Sequence, residues 1–364
     1  MSLLRLGCCI SAHGFGHAAR TAAVIQALAE LTPVHSTLVS QVPQWFFRNC
    51  LPCPFIQYPW QTDVGLVQLS AFREDLPATV RELSRFYPLR QEQISRVAEV
   101  FAGCDLVLCD IAPLGIAAAR QAGVPSVLLE NFTWDWLYEG YLEQCAGLRP
   151  FLSCLRDLNR QADYHIQATP ICAPGPCDLL AGPIARRIRS SRAEVRQRMG
   201  VAAGQRLVLI SMGGLGMAGL SLSLPDDGGN ILYLVAGQGT EAEAGKHVRF
   251  LPPDSGLAHP DLVAASDAVI GKAGYSTLAE VYRAQVPFGY IRRQGFRESG
   301  ALVSFIRQEM AGLEIPEQEL ADNGLAARIP ALVALASPPR RLPDGADQCA
   351  AFLATLSVKR RRKG

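Results

Sequence analysis

Short apolar runs alternate with longer segments of helical spacing through the first half of the chain. Apolar runs bounded by turn-forming residues are typical of buried strands, and apolar positions that recur every three or four residues are typical of helices. The alternation predicts repeated strand–helix–strand units around a parallel sheet that helices cover on both faces. The predicted strands are Leu3 to Ile10, Val34 to Ser40, Asp105 to Cys109 and Val124 to Leu129, and the predicted helices are Ala18 to Leu31 and Ile111 to Ala122.

A second alternating series follows a break in the middle of the chain. The break, residues 168–178, is rich in Pro, Gly and Cys and cannot hold a regular helix, so we interpret it as the approach to a linker. We expect an α/β fold with two facing Rossmann-like doubly wound domains and a cleft between them, where ligands of such sheets bind. The expected domains are residues 1–180, residues 181–340, and a C-terminal helix with a basic tail at 341–364.

Composition excludes several classes of protein. Of the 364 residues, 49% are hydrophobic and 19% are charged, which excludes disorder and a short disulfide scaffold. The formal net charge is +2, and residues 359–363 are all cationic, so the rest of the chain is mildly acidic and gives no indication of nucleic-acid binding. The longest uncharged run, Leu207 to Pro225, is interrupted by glycines and is too short for a membrane span.

Cysteine usage and the N-terminal sequence predict a cytoplasmic protein. The cysteine count of 11 is odd, and several cysteines lie within apolar runs, where free thiols behave as small hydrophobic groups. The N-terminus begins as a strand and not as a secretion signal. The pair Cys50 and Cys53 has prolines interleaved and no second pair at metal-ligand spacing, so we interpret it as structural.

A glycine-rich turn with two histidines joins the first predicted strand to the first helix. Gly14 and Gly16 let the backbone approach a ligand, and the helix start offers free amides to an oxyanion. Imidazole exchanges a proton near neutral pH, so His17 is the candidate general base and His13 a second candidate. A capping or buried structural role is the alternative for both, and Arg20 fits an exposed first-turn position. The turn lacks the third glycine of the dinucleotide fingerprint, which disfavours a nicotinamide enzyme.

Two further segments could bind phosphate. The loop with Gly213, Gly214 and Gly216 follows the first strand of the second half, but no Gly-Lys-Ser/Thr follows it, which argues against phosphoryl transfer from ATP. The segment 265–280 predicts a strand, a tight turn and a helix with a carboxylate, Glu280, one turn in. Helix amides suit an anion and the carboxylate suits a diol, although Thr277 and Glu280 also have the spacing of a capping box.

These motifs resemble those of the nucleotide-sugar glycosyltransferases of the GT-B fold, including the peptidoglycan N-acetylglucosaminyltransferases. The stronger resemblance is to the glycosyltransferase-like N-terminal region of plant L-arabinokinase, and it extends from the first strand to about Phe305. The matching segments are His13 to Arg20, Asn131 to Asp135, Pro260 to Asp267, Gly271 to Glu280 and Pro287 to Arg293.

The resemblance implies roles for individual residues. The second domain would hold the donor, with Glu280 on the ribose hydroxyls and the backbone near Phe250 and Leu251 on the base. The other implied donor residues are, for the diphosphate, Gly213, Gly214, Gly216, Lys272, Gly274, Ser276 and Thr277, and, for the sugar, Arg292, Arg293, Phe296, Arg297 and Glu298. The acceptor would lie against Gly14, Gly16, Asn131, Trp134 and Asp135.

The implied activity is transfer of a sugar from a nucleotide-diphosphate sugar, with a UDP-sugar as the family default, to an unknown acceptor hydroxyl. We expect inversion with His17 as base, and no cofactor or metal, because the chain contains no Asp-x-Asp motif. A nucleotide-sugar 2-epimerase or hydrolase and a binding or sensor module without turnover are the alternatives. Residues 45–48 with the basic tail also fit a weak peripheral membrane contact, with a core helix as the alternative. The oligomeric state and the acceptor are left open.

Overall fold

The computed structural model describes residues 3–70, 72–213, 222–225, 228–236, 247–252, 255–322 and 324–361, with the backbone only for 357–361. Within these ranges the chain forms two parallel sheets, one of seven strands and one of six, with helices on their faces. The predicted α/β fold with two doubly wound halves is therefore confirmed.

The first half is built around the seven-stranded sheet, in the order β3-β2-β1-β4-β5-β6-β7. Its central strands are buried along their whole length because helices cover both faces. The strands are β1 (Leu4–Ile10), β2 (Val34–Val39), β3 (Phe55–Tyr58), β4 (Leu106–Asp110), β5 (Ser126–Glu130), β6 (Tyr164–Ala168) and β7 (Leu179–Ala181). The helices are α1 (Gly16–Leu31), α2 (Gln44–Cys50), α3 (Leu76–Phe86), α4 (Gln91–Phe101), α5 (Pro113–Gln121), α6 (Trp134–Glu139) and α7 (Arg149–Asn159).

The second half repeats this plan with the order β10-β9-β8-β11-β12-β13. Its first helix starts at a capping box, in which Ser191 and Glu194 satisfy each other's backbone amides. The strands are β8 (Arg206–Ser211), β9 (Ile231–Ala236), β10 (Val248–Leu251), β11 (Ala268–Lys272), β12 (Phe288–Ile291) and β13 (Gly312–Glu314). The helices are α8 (Arg192–Arg198), α9 (His259–Ala265), α10 (Tyr275–Ala284), α11 (Ser299–Glu309), α12 (Leu325–Val333) and α13 (Gly345–Arg361).

The two halves are connected by more than the linker. The C-terminal helix α13 returns to the first half and packs against α1. In the opposite direction, Phe72 of the first half is buried in the hydrophobic cluster of the second half, beside residues such as Met212 and Ile291. Nearby, Glu74 of the first half forms an ion pair with Arg293 of the second half. These contacts hold the carboxyl ends of the two sheets close together around a cleft.

Candidate active site

The cleft lies where both sheets reverse their strand order. In the first half the reversal falls between β1 and β4, and in the second half it falls between β8 and β11. Loops at such a reversal separate, so ligands of open α/β sheets bind at this point, beyond the carboxyl ends of the strands. Here the two reversal points face each other and line one cavity of about 260 Å³.

A histidine–carboxylate pair forms the cavity wall in the first half. His17 lies in the first turn of α1, and its Nδ1 lies 2.9 Å from Oδ1 of Asp110, the last residue of β4. Burial raises the pKa of Asp110, but the charge and hydrogen bonds of Arg20 and His17 outweigh burial and hold the pKa below its usual value. An ionised carboxylate only accepts hydrogen bonds, so Nδ1 of His17 is the ring nitrogen that donates to it, and Nε2 is the nitrogen left to face the cavity.

Arg20 is the second partner of Asp110. His17, Arg20 and Thr21 lie three and four residues apart on one face of α1, so all three side chains reach the same carboxylate. Arg20 donates from Nε to Oδ2 of Asp110 at 2.9 Å and from Nη1 to Oδ1 of Asn131 at 2.7 Å. Asp110 is fully buried, and the charge of Arg20 compensates its carboxylate. Oδ1 of this carboxylate contacts His17.

The backbone next to Asp110 is strained. Ile111 follows it with a φ of 44°, in a region that β-branched residues avoid. Strain of this kind persists only where the surrounding structure imposes it, and it concentrates at functional sites. The strained residue Ile111 directly follows Asp110, the last residue of β4, whose carboxylate contacts His17.

The ring of His13 is closely packed beside the pair formed by His17 and Asp110. Its ring packs edge-on against Trp134, with 5.2 Å between centroids, and its Nε2 lies 3.3 Å from Nε2 of Gln68. Gly65 leaves room for it, because a Cβ at that position would lie 2.5 Å from Nδ1 of His13. Burial, followed by the electrostatic effect of the neighbouring His17, Arg293 and Lys272, holds the pKa of His13 well below its usual value. His13 is therefore a neutral ring at physiological pH.

The second half contributes the start of helix α10 and Lys272 to the cavity. Helix α10 begins after Gly274, and no side chain caps its first amides. These amides face the cavity together with Lys272, whose Cε lies close to Gly274. Burial and the charge of Arg293 lower the pKa of Lys272 to about 8. Free helix amides are suited to bind an anion. A bound anion would also favour the protonated form of Lys272 and raise its lowered pKa.

Glu280 holds the centre of a hydrogen-bonded cluster on the same helix. Its Oε1 accepts from Nε of Arg186 at 2.7 Å, and its Oε2 lies 2.6 Å from Nδ1 of His259, whose Nε2 contacts Oγ of Ser211 at 2.9 Å. Burial raises the pKa of Glu280, but the charge of Arg186 and the bonds from His259 outweigh burial and hold that pKa at about 2. Glu280 is thus an ionised carboxylate whose two oxygens are both engaged.

The segment after β12 closes the cavity from the second half. Glu298 accepts a hydrogen bond from Nδ2 of Asn131 at 2.8 Å, which joins it across the cleft to Arg20 and Asp110. Burial raises the pKa of Glu298 despite this bond. Arg293 lies over the ring of Phe296, with its Cζ 3.6 Å from the ring centroid. The hydrogen-bonded chain from His17 to Glu298 therefore crosses between the halves.

Comparison with known proteins agrees with this architecture. No protein-family model matches the chain. The chain is 29% identical to L-arabinokinase from Arabidopsis thaliana over an alignment of 323 positions, which covers 85% of this chain and 30% of that protein.

Solved glycosyltransferases superpose on nearly the whole chain. MurG from Acinetobacter baumannii is 16% identical with a TM-score of 0.51, over 98% of this chain and 100% of MurG. UGT2 from Phytolacca americana, complexed with UDP-2-fluoro-glucose and pterostilbene, is 13% identical with a TM-score of 0.58, over 98% and 94% of the two chains. A UDP-glucosyltransferase from Polygonum tinctorium is 14% identical with a TM-score of 0.59, over 98% and 99%.

The chain has the GT-B fold. The resemblance inferred from the motifs, to glycosyltransferases of this fold and to the L-arabinokinase region, is confirmed.

The GT-B cleft brings together most of the residues singled out in the sequence. Those that line the cavity are His13, Gly14, Gly16, His17, Asn131, Gly213, Leu251, Lys272, Gly274, Ser276, Thr277, Glu280, Arg293, Phe296 and Glu298. Gly214 and Gly216 lie outside the described residues. Gly213 has a φ of 80°, which favours glycine at the turn after β8.

Two predicted acceptor residues do not face the cavity, and their prediction is corrected. Trp134 is 1% exposed, because its Nε1 bonds the buried Asp63 and its ring stacks on Tyr138. Asp135, one residue further along α6, pairs with Arg156 instead. Trp134 supports His13 from behind, whereas Asp135 joins α6 to α7.

Two predicted donor side chains are displaced from the cavity. Arg292 is exposed, and Arg297 stacks over Trp136 and pairs with Glu139 on the outer surface. Sugar contacts from these two side chains are therefore not supported. Leu251 lines the cavity and the side chain of Phe250 packs against the core of the second half, so the expected contact of their backbone with the base stays a prediction.

Other expectations are corrected by burial or by capping. Arg20 is 1% exposed and not a surface residue. The capping box at Thr277 and Glu280 is absent, because α10 already begins at Tyr275 and Thr277 lies within its first turn. Phe46 and Phe47 are buried, which favours the core-helix alternative for α2.

Sequence reasoning missed Asp110, Arg186 and His259. A polar residue at the end of the apolar run Leu106 to Asp110 was a usable signal for Asp110, since strand ends at a sheet reversal carry function. No local pattern marks Arg186 or His259, which meet Glu280 only through the fold.

The described residues contain no cluster of three or more His, Cys, Asp or Glu that could hold a metal ion. None of the described helices combines the length and apolar character needed to cross a bilayer.

Proposed function

We propose that the protein transfers a sugar from a nucleotide-diphosphate sugar, with a UDP-sugar as the first donor to test, to an acceptor hydroxyl. The observation that carries the proposal is the position of the pair formed by His17 and Asp110 directly opposite the uncapped start of α10. A Cβ built on Gly16 would lie 3.7 Å from Oγ of Ser276, so the proposed base and the proposed diphosphate site share one narrow cavity.

The proposed step uses groups from both halves. Nε2 of His17 takes the proton of the acceptor hydroxyl as its oxygen bonds to the anomeric carbon, and the bond from that carbon to the diphosphate oxygen breaks. Asp110 stabilises the imidazolium that forms. The amides at the start of α10 and the ammonium of Lys272 stabilise the departing diphosphate without a metal. Attack from the face opposite the leaving group inverts the anomeric configuration.

The second candidate is a nucleotide-sugar binding module without turnover. Both carboxylate oxygens of Glu280 are held by Arg186 and His259, so a ribose diol must share or displace these partners.

The test is a thermal-shift screen with UDP-, GDP-, dTDP- and ADP-sugars without added metal, followed by product analysis against a panel of hydroxyl acceptors. A ligand that binds only the folded protein raises its melting temperature. We expect one donor to stabilise the parent and His17→Gln but not Glu280→Gln. We expect His17→Gln to lower turnover by about 10²- to 10⁴-fold. His35→Gln, on β2 and away from the cavity lining, is the matched control.

The outcomes separate the candidates. Turnover with inverted product supports the transferase, and tight binding without product supports the binding module. A strict requirement for Mg²⁺ or Mn²⁺ would contradict the metal-free step. If no nucleotide sugar changes the melting temperature at millimolar concentration, both candidates are wrong.

A further inference from the structure

The part of the cavity lining next to the Glu280 cluster is mostly apolar, and we call it the apolar end. On one side lie Trp45 and Phe46 of α2, which belong to the first half. On the other side lie Leu251 and Leu257, which belong to the second half. Because α10 presents its free amides before Glu280, this apolar end is the part of the cavity that remains once a diphosphate and a ribose are placed along α10.

Helix α2 is tied directly to the Glu280 cluster. Arg186, which bonds Glu280, also donates to Sγ of Cys50 at 3.2 Å and lies over the ring of Phe46, 5.3 Å from its centroid. The last turn of α2 is further held by Gln26, whose Nε2 donates to the Cys50 carbonyl at 2.7 Å. The helix is therefore fixed beside the carboxylate proposed to bind ribose.

Trp45 is the more accessible of the two α2 rings that line the cavity. It is half-buried and lines the cavity, whereas Phe46 is buried beneath it. Phe15 contacts both rings, stacking on Phe46 at 5.1 Å and meeting Trp45 edge-on at 5.5 Å between centroids. These contacts hold the indole in place, so little ordering is needed when a flat ligand packs on it.

We infer that Trp45 of the first half forms one wall of the nucleobase subsite, opposite Leu251 and Leu257 of the second half. The ligand class is a nucleoside diphosphate, and the inference rests on the proposed function. Every nucleobase has a π face that stacks on an aromatic side chain. The base is then enclosed by both halves, so binding of the donor nucleotide also holds the cleft closed.

The experiment measures binding of UDP, GDP, ADP, dTDP and inorganic pyrophosphate by calorimetry to the full chain and three variants. Trp45→Leu keeps an apolar side chain but removes the π face, and Trp45→Phe keeps a stacking ring. Trp60→Leu is the matched control, because Trp60 packs against Tyr58 and Arg96 away from the cavity lining.

We expect Trp45→Leu to weaken the preferred nucleoside diphosphate by at least about 5-fold, the lower end of the stacking range. Pyrophosphate should bind all four proteins equally, and Trp45→Phe and Trp60→Leu should bind the nucleotide within about twofold of the parent, well inside that stacking range. Equal weakening of pyrophosphate by Trp45→Leu would indicate general damage and overturn the assignment. Unchanged nucleotide binding by Trp45→Leu would refute the subsite and leave the proposed function standing. If no nucleoside diphosphate binds the parent, the proposed function and the inference both fail.

Discussion

Replacing Arg186 with methionine tests the charge balance of the buried cluster around Glu280. The change keeps a long apolar side chain beside Phe46 but removes the guanidinium that donates to Oε1. Glu280 is 2% exposed, so in the variant it becomes a buried carboxylate with His259 as its remaining partner. Without the charge of Arg186, burial raises the pKa of Glu280 above its value in the parent protein.

The structure sets the expected magnitude. The pKa of Glu280 falls from 4.5 to about 2 on folding, and each pH unit is worth about 1.4 kcal/mol, so its ionisation stabilises the parent by about 3 kcal/mol. This stabilisation is complete above pH 4.5 and is lost as the pH falls toward 2. Removing one partner of a buried pair costs about 3–5 kcal/mol near neutral pH.

The free energy of unfolding should therefore be measured in urea at about pH 6 and about pH 3.5. We expect the difference between parent and Arg186→Met to shrink by roughly 1–2 kcal/mol at the lower pH, because only the parent loses the contribution of ionised Glu280. In the double variant Arg186→Met/Glu280→Gln no buried charge remains, so most of the stability should return at pH 6. A penalty for Arg186→Met that is equal at both pH values would show that packing on Phe46, and not charge, holds this cluster.

Two further predictions concern the fold and the anion site. Gly115→Ala in α5 places a Cβ 2.3 Å from Cβ of Cys9 and should lower the free energy of unfolding in urea by about 1–3 kcal/mol. The control Gly300→Ala in α11 places a Cβ that meets nothing within 4 Å and should not destabilise the protein. Equal effects of the two substitutions would contradict the packing around Gly115. Binding of a nucleoside diphosphate at about pH 8 should take up a proton, because the anion raises the pKa of Lys272 from about 8. Calorimetry in buffers of different ionisation enthalpy would detect this uptake, which should vanish in Lys272→Met.

Several features of the site were predictable from the sequence because they are local. A glycine turn between a strand and a helix places His17 in a first helical turn, and a strand followed by Gly274 places free amides at the start of α10. Residues on the segments after β12 and around α6 were harder to assign. Neighbouring residues there point in opposite directions, so Arg293 lines the cavity while Arg292 is exposed.

The sequence by itself determined the two α/β halves and the loops that meet at the cleft, because hydrophobic period and glycine placement act over a few residues. The tertiary structure decided the partners of those loops. Asp110 meets His17 across 93 residues of sequence, and Arg186 meets Glu280 across 94. Such pairs depend on strand order and on burial, which set both the distance and the pKa values of the groups, and no local pattern in the chain encodes either.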